Sequence, residues 1–149
     1  MHTITADSFG LNHDNYIGSL PQHNTPSKTW AIFYRDERLM PQLELAAKNN
    51  RLTPKMRLGF DVLFQKIETL FPIEKPSLLH GDLWSGNMMV CHDGLPAIFD
   101  PAVYFGHREM DLAMMALFGG FGQAWVAAYS AVYPLEKGWE ERIALGQLY

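Results

Sequence analysis

Apolar positions recur at helical spacing from Ser27 onward, with Trp30, Phe33 and Tyr34 followed by Met40, Leu43 and Ala47. Pro41 interrupts that pattern and predicts a kink or two abutting helices, and Asn49-Asn50 closes it. The next helix has the plainest boundaries. Thr53 is a good N-cap, and Pro54 stands at the first helical position, where its missing N–H costs nothing. Phe60, Leu63, Phe64, Ile67, Leu70 and Phe71 form a stripe at helical spacing, which reads as core, and Pro72 ends it. After Pro76 the period shortens. Two short apolar runs, 88–91 and 96–99, flank His92-Asp93-Gly94-Leu95, and Asp-Gly between such runs predicts a β-hairpin. Further helices are expected near 109–118 and 122–133, with Gly119-Gly120 between them. A last one starts near Trp139 and is still periodic at Tyr149. Residues 1–27, rich in Gly, Pro, Asn, His and Ser, predict a loop or extended segment with a short strand near its start.

Composition narrows the function classes. The 149 residues are 48% hydrophobic and 19% charged, ordinary for a globular domain long enough to bury a core. The net charge of −4 and the lack of any Lys/Arg block argue against a nucleic-acid partner. No apolar run approaches the roughly 18 residues of a membrane helix, and the N-terminus lacks the basic and apolar regions of a signal peptide. Cys91 stands alone and forms no internal disulfide, which suits a reducing compartment. The expectation is a cytoplasmic domain with neither membrane nor nucleic-acid contacts.

The chemistry concentrates between residues 80 and 100. His80-Gly81-Asp82-Leu83-Trp84-Ser85-Gly86-Asn87 sets an Asp and an Asn five residues apart, just before the expected hairpin, and Asp100 stands at its far end. Phosphoryl transfer asks for positioning and charge neutralisation rather than covalent chemistry. One carboxylate receives the acceptor hydroxyl's proton, while an Asn oxygen and a second carboxylate hold Mg²⁺ against nucleotide phosphates. A hairpin returning Asp100 toward Asn87 lets residues distant in sequence share one ion. H-x-D-x-x-x-x-N, a hairpin and an Asp at its end follow the catalytic-loop and metal-loop pattern of protein-kinase-like enzymes.

The match sharpens along the chain. The 80–87 segment resembles the catalytic loop of fructosamine kinases. Asp100-Pro101-Ala102-Val103-Tyr104-Phe105-Gly106-His107-Arg108-Glu109, with Asp111-Leu112-Ala113-Met114 and Leu117-Phe118-Gly119-Gly120-Phe121, resembles that family's next signature. Upstream, Asp14-Asn15-Tyr16-Ile17-Gly18, Pro21-Gln22-His23-Asn24 and Arg38-Leu39-Met40-Pro41-Gln42-Leu43 are similar to family segments as well. The Trp after Asp-Leu and the 104–109 stretch separate the chain from aminoglycoside and choline kinases, which share only the shorter pattern.

The resemblance implies a Mg²⁺- and ATP-dependent kinase that phosphorylates a sugar hydroxyl of a ketoamine, a fructosamine or ribulosamine on glycated lysine. This is a protein-deglycation repair. It makes Asp82 the catalytic base, Asn87 and Asp100 the metal and cofactor ligands, and His80 an organiser of the loop. Asp111 is either a helix N-cap or a brace of the catalytic-loop backbone. Trp84 either stacks on the sugar or is a buried aromatic, and Tyr104, His107 and Arg108 either touch substrate or hold their loop. The implied fold is α+β and mainly helical, the C-lobe of a protein-kinase-like fold with a small hairpin. Residues 1–149 are expected to be a partial domain truncated at both ends, the N-lobe absent. No Gly-rich loop or strand Lys precedes residue 28. A kinase lobe that is inactive by itself, an interaction module that keeps the motif without turnover, and another small-molecule kinase such as an aminoglycoside phosphotransferase are the competing readings. An open cleft floor would also favour self-association or a partner.

Overall fold

The computed structural model describes residues 1–119, 121–122 and 124–149. Among these residues the architecture mixes helices with three two-stranded antiparallel sheets. Strands β1 (Asn15–Ile17) and β2 (Leu20–Gln22) pair across a Gly18-Ser19 turn. A continuous helical run follows, α1 (Trp30–Phe33), a π-helical turn over Tyr34–Leu39, and α2 (Met40–Lys48). Helix α3 (Pro54–Leu70) is next. Strand β3 (Ser77–Leu79) pairs with β6 (Tyr104–Gly106), and between them lies the hairpin of β4 (Met88–Val90) and β5 (Pro96–Ile98). Helices α4 (Glu109–Phe118), α5 (Ala124–Val132) and α6 (Trp139–Gly146) complete the order.

Local chemistry accounts for most of these elements. The Thr53 hydroxyl accepts the Met56 N–H at 3.2 Å, so α3 starts where its N-cap and Pro54 predict. The β4–β5 turn has Gly94 at φ +81, and the Asp93 carboxylate accepts the Leu95 N–H at 3.1 Å. The expected abutting helices appear as α1, the π turn and α2, with Pro41 in the first turn of α2. The π turn immediately before it widens the backbone, and Met40 N–H reaches the Arg35 carbonyl.

Three expectations are corrected. The segment before residue 28 holds a complete hairpin rather than one short strand. The α3 stripe is only half core: Ile67 and the following Phe71 are buried, whereas Phe60, Leu63 and Phe64 are partly covered. Helix α6 ends at Gly146 instead of running on to Tyr149. The break at Gly119-Gly120 and the helix near 122–133 fall partly on Gly120 and Gln123, which lie outside the described residues.

The core joins the N-terminal segment, α1, α3 and the β3–β6 pair through Phe9, Trp30, Phe33, Tyr34, Leu39, Ile67, Phe71, Leu79, Tyr104 and Met110. Trp30 stacks on Tyr34 with ring centroids 5.1 Å apart and meets Phe71 edge-on at 5.9 Å. Aromatic pairs of this kind add about 0.5–1.5 kcal/mol each beyond their buried area. The chain's first residues cover both edges of β3–β6. Leu78 N–H donates to Ile4 O, and Gly10 and Phe105 exchange backbone hydrogen bonds of 2.8 and 2.9 Å. This small, enclosed sheet is the rigid base from which the site loops depart.

Candidate active site

Register places the two loops side by side. Leu79 lies opposite Tyr104, so the chain leaving β3 at His80 and the chain entering β6 from Val103 start as neighbours. Ala102 N–H then donates to the His80 carbonyl at 2.8 Å. Gly81 makes this approach feasible. It sits at φ +82, and a Cβ there would stand 2.0 Å from the Ala102 oxygen, so glycine is required by both conformation and space.

Asp111 fixes the same loop from below. Buried within the first turn of α4, its carboxylate accepts the His80 N–H at 2.8 Å, the Gly81 N–H at 2.9 Å and His2 Nε2 at 2.9 Å. Of the two roles open to Asp111, these contacts are those of a loop brace, since the N-cap position of α4 is Arg108. His2 completes the brace through Nδ1 and the Tyr129 hydroxyl at 2.7 Å. No local sequence signal marks His2; its partners are more than 100 residues away. His80 turns inward, with Nε2 3.0 Å from Phe99 O and Nδ1 accepting Asp82 N–H at 3.3 Å, the contacts of a loop organiser.

Asp82, Asn87 and Asp100 come together as the spacing predicts. Asn87 Nδ2 donates to Asp82 Oδ2 at 3.0 Å, to Asp82 O at 2.9 Å and more weakly to Asp100 O at 3.4 Å. The β4–β5 hairpin returns the chain so that Phe99 N–H meets Asn87 O at 3.0 Å. Asp100 is solvent-exposed and adopts φ +56, a left-handed conformation a non-glycine residue rarely takes. With the Asn87 amide nitrogen turned inward, Oδ1 is its remaining donor atom for an ion. Among the described residues no three His, Cys, Asp or Glu side chains group around a metal position. An ion taken up by Asn87 Oδ1 and the Asp100 carboxylate would have two oxygen donors from this chain and would need further ligands from phosphate or water. Hard oxygen donors in small number fit Mg²⁺, which keeps several waters.

Trp84 lies at the mouth of this cluster and is 37% exposed. Its ring packs against Phe118 with centroids 5.5 Å apart and folds over Gly86, where a Cβ would meet the indole at 2.3 Å. The three polar residues farther along are placed differently. Tyr104, His107 and Arg108 are 1%, 1% and 2% exposed. Tyr104 is part of the core, under the Arg38 guanidinium at 4.1 Å. Arg108 forms a two-pronged ion pair with Glu74 (2.9 and 2.8 Å), donates to Tyr133 O at 2.9 Å and to Pro134 O, and lies 3.8 Å over the Tyr133 ring. None of the three presents a surface to a ligand. Of the two roles open to them, their burial and contacts are those of loop holders.

Their electrostatics are those of an interior. Burial pushes the His107 imidazole below its ordinary value, against the opposing pull of Glu109 and Glu74. Burial alone would raise Glu74, but the hydrogen bond from Arg108 and the nearby His107 and Arg108 charges bring it below the usual carboxylate range.

The family model for fructosamine kinase matches residues 1–149. The chain belongs to the fructosamine kinase family. A protein of Enterococcus faecium described as a probable ketoamine kinase is 41% identical over the whole chain and 54% of its own length. Mouse ketosamine-3-kinase is 38% identical over 97% of the chain and 47% of its own length. A crystal structure from Thermobifida fusca, assigned as a fructosamine-3-kinase, superposes with a TM-score of 0.90 at 44% identity, covering 98% of this chain and 51% of that one. The chain thus spans about half the length of the family members it matches. No helix among the described residues is long and apolar enough to cross a membrane.

Proposed function

We propose that the full-length protein transfers the γ-phosphoryl group of Mg·ATP to a hydroxyl of a ketoamine, the fructosamine or ribulosamine formed when lysine is glycated. The observation that carries this reading is the convergence of Asp82, Asn87 and Asp100, with the Asn87 amide donating to the Asp82 carboxylate and more weakly to the Asp100 main-chain oxygen. Asp82 accepts the proton of the attacking hydroxyl. Asn87 Oδ1 and the Asp100 carboxylate hold the ion. An ion held there would supply charge neutralisation for the transferring phosphoryl group. The Asp111 brace keeps Asp82 fixed, so little reorganisation remains for the moment of transfer.

In this reading residues 1–149 form the lobe that carries the catalytic and metal loops. Trp84, exposed beside Asp82, lies against the apolar face of the sugar. The names of the mouse relative and of an Arabidopsis thaliana protein-ribulosamine 3-kinase, 42% identical over 97% of the chain, support a ketoamine acceptor. The test is a substrate panel on the full-length protein with Mg·ATP. Phosphate should appear on fructosyl-lysine or ribulosyl-lysine peptides and not on aminoglycosides. Transfer to aminoglycosides alone, or no transfer to any ketoamine, would overturn the reading.

A further inference from the structure

Asp100 holds a left-handed backbone at φ +56 with no glycine to ease it. Such a conformation persists only where the surroundings over-determine it. Bonds at Phe99 and on its own oxygen tie its upstream side to Asn87 and His80, and a second pair of bonds fixes the downstream side. Two and three residues downstream, the carbonyls of Ala102 and Val103 are each held by a side-chain amide of the β1–β2 hairpin. Gln22 Nε2 donates to Ala102 O at 3.1 Å and Asn15 Nδ2 donates to Val103 O at 2.8 Å. The two amides also hold one another, because Gln22 Nε2 donates to Asn15 Oδ1 at 2.8 Å.

Behind them the network continues without a gap. Asn24 Nδ2 donates to Asn15 Oδ1 at 2.9 Å, and Arg38 Nη2 donates to Asn24 Oδ1 at 2.8 Å. Arg38 also donates to the His23 carbonyl and lies over the rings of Phe33 and Tyr104, 4.5 and 4.1 Å from their centroids. The Tyr149 hydroxyl donates to Gln22 Oε1 at 2.9 Å. Gln22, Asn24 and Arg38 are all buried, so these bonds are shielded from competing water. Ala102 is the meeting point. Its oxygen takes the Gln22 amide and its N–H donates to His80 O, while the same oxygen packs on Gly81. The segments around Asn15, Gln22 and Arg38, similar to family segments yet without an evident part in the chemistry, are therefore tied to both site loops.

We infer that Gln22 and Asn15 are positioning residues for Asp100. By pinning residues 102–103 they hold the preceding aspartate in its left-handed conformation and so set where its carboxylate stands relative to Asn87. The inference deepens the proposed function, because it assigns the geometry of the metal-binding aspartate to a hairpin that touches neither metal nor substrate.

The experiment reads the backbone first and the chemistry second. In the 149-residue chain, a strong intraresidue HN–Hα nuclear Overhauser effect marks a left-handed residue, and Asp100 should show it. Asn50, at φ 55 and in a separate helix end, provides an internal standard. Gln22→Met removes both amide bonds at similar volume, and Tyr149→Phe is a milder variant that loosens Gln22 by one hydrogen bond. In Gln22→Met the Asp100 signal should fall toward that of an ordinary residue while Asn50 keeps its own. In Tyr149→Phe it should fall less. In the full-length protein the Mg²⁺ concentration for half-maximal turnover should rise about tenfold for Gln22→Met, the usual effect of removing a residue that orients a metal ligand. An unchanged Asp100 signal in both variants, or equal loss at Asn50, would overturn the inference, as would a lost Asp100 signal with an unaltered Mg²⁺ requirement. A wild-type protein with no Mg·ATP-dependent turnover would instead overturn the functional reading, and the Asp100 signal would still decide the positioning claim.

Discussion

The stretch from Asp100 to Glu109 contains two regions of opposite character. At its start, Asp100 is exposed and strained, its main-chain oxygen weakly bonded by the Asn87 amide. Seven residues on, His107 and Arg108 are interior groups whose hydrogen-bonding atoms are directed at Glu74, Tyr133 and the start of α4. The first end offers a lone aspartate and the second a cluster of polar residues, and from the sequence both suit a ligand. What separates them is that Asp100 leaves its carboxylate free for an outside partner, whereas Arg108 has five-donor geometry already matched to a carboxylate and two carbonyls of its own chain. Polar density in a motif marks a place where the fold is exacting, and burial decides whether the demand is chemical or structural.

The largest effect should come from the exposed end. Asp82→Asn should lower kcat of the full-length enzyme about 10²–10⁴-fold, the usual worth of positioned proton transfer, and leave the melting temperature nearly unchanged. A near-normal kcat would break the comparison on its catalytic side. Arg108→Ala should do the reverse. It strands Glu74, which is only 11% exposed, and removes the donor to two carbonyls. Breaking a buried pair in this way costs about 3–5 kcal/mol, and denaturant unfolding would read it. Arg108→Lys should recover only part of that, since a lysine cannot span both Glu74 oxygens. A fully stable Arg108→Ala that loses turnover would return Arg108 to the substrate site.

The smallest effect is a matter of pH. His107 is held neutral by burial, with its folded-state pKa below the ordinary value. Once pH falls below about 6.5 the unfolded chain binds the proton more readily than the folded one, so stability is lost as pH drops through that range. Glu74, whose pKa is lowered, works in the same direction only in stronger acid, below about pH 4.5. The melting temperature should therefore fall between about pH 7.5 and about pH 5.5, and His107→Phe should flatten that fall. An identical slope in the variant would place the titrating group elsewhere.

Short-range signals were legible before the fold was known. Thr53-Pro54 starts α3, Asp93-Gly94 turns the hairpin, and the Asp82-to-Asn87 spacing assembles with Asp100. Contacts carried by sequence separation were not. His2 reaches Asp111 across 109 positions and Gln22 reaches Ala102 across 80, and neither residue type implies such a partner. The π turn before Pro41 was missed for a different reason: proline predicts that a helix is disturbed, not how the preceding backbone absorbs the missing hydrogen bond. Trp84 is not the buried aromatic that one reading offered: it packs on Phe118 and over Gly86 yet stays 37% exposed.

The central claim is that Asp100 and Asn87 hold one divalent ion for a bound nucleotide, and Asp100→Ala tests it most directly. Calorimetry on the full-length protein would compare ATP binding with Mg²⁺ and with the metal chelated, in wild type and variant. The account predicts a loss of about tenfold or more in affinity for Mg·ATP and little change for metal-free ATP. Equal losses in the two conditions would contradict it.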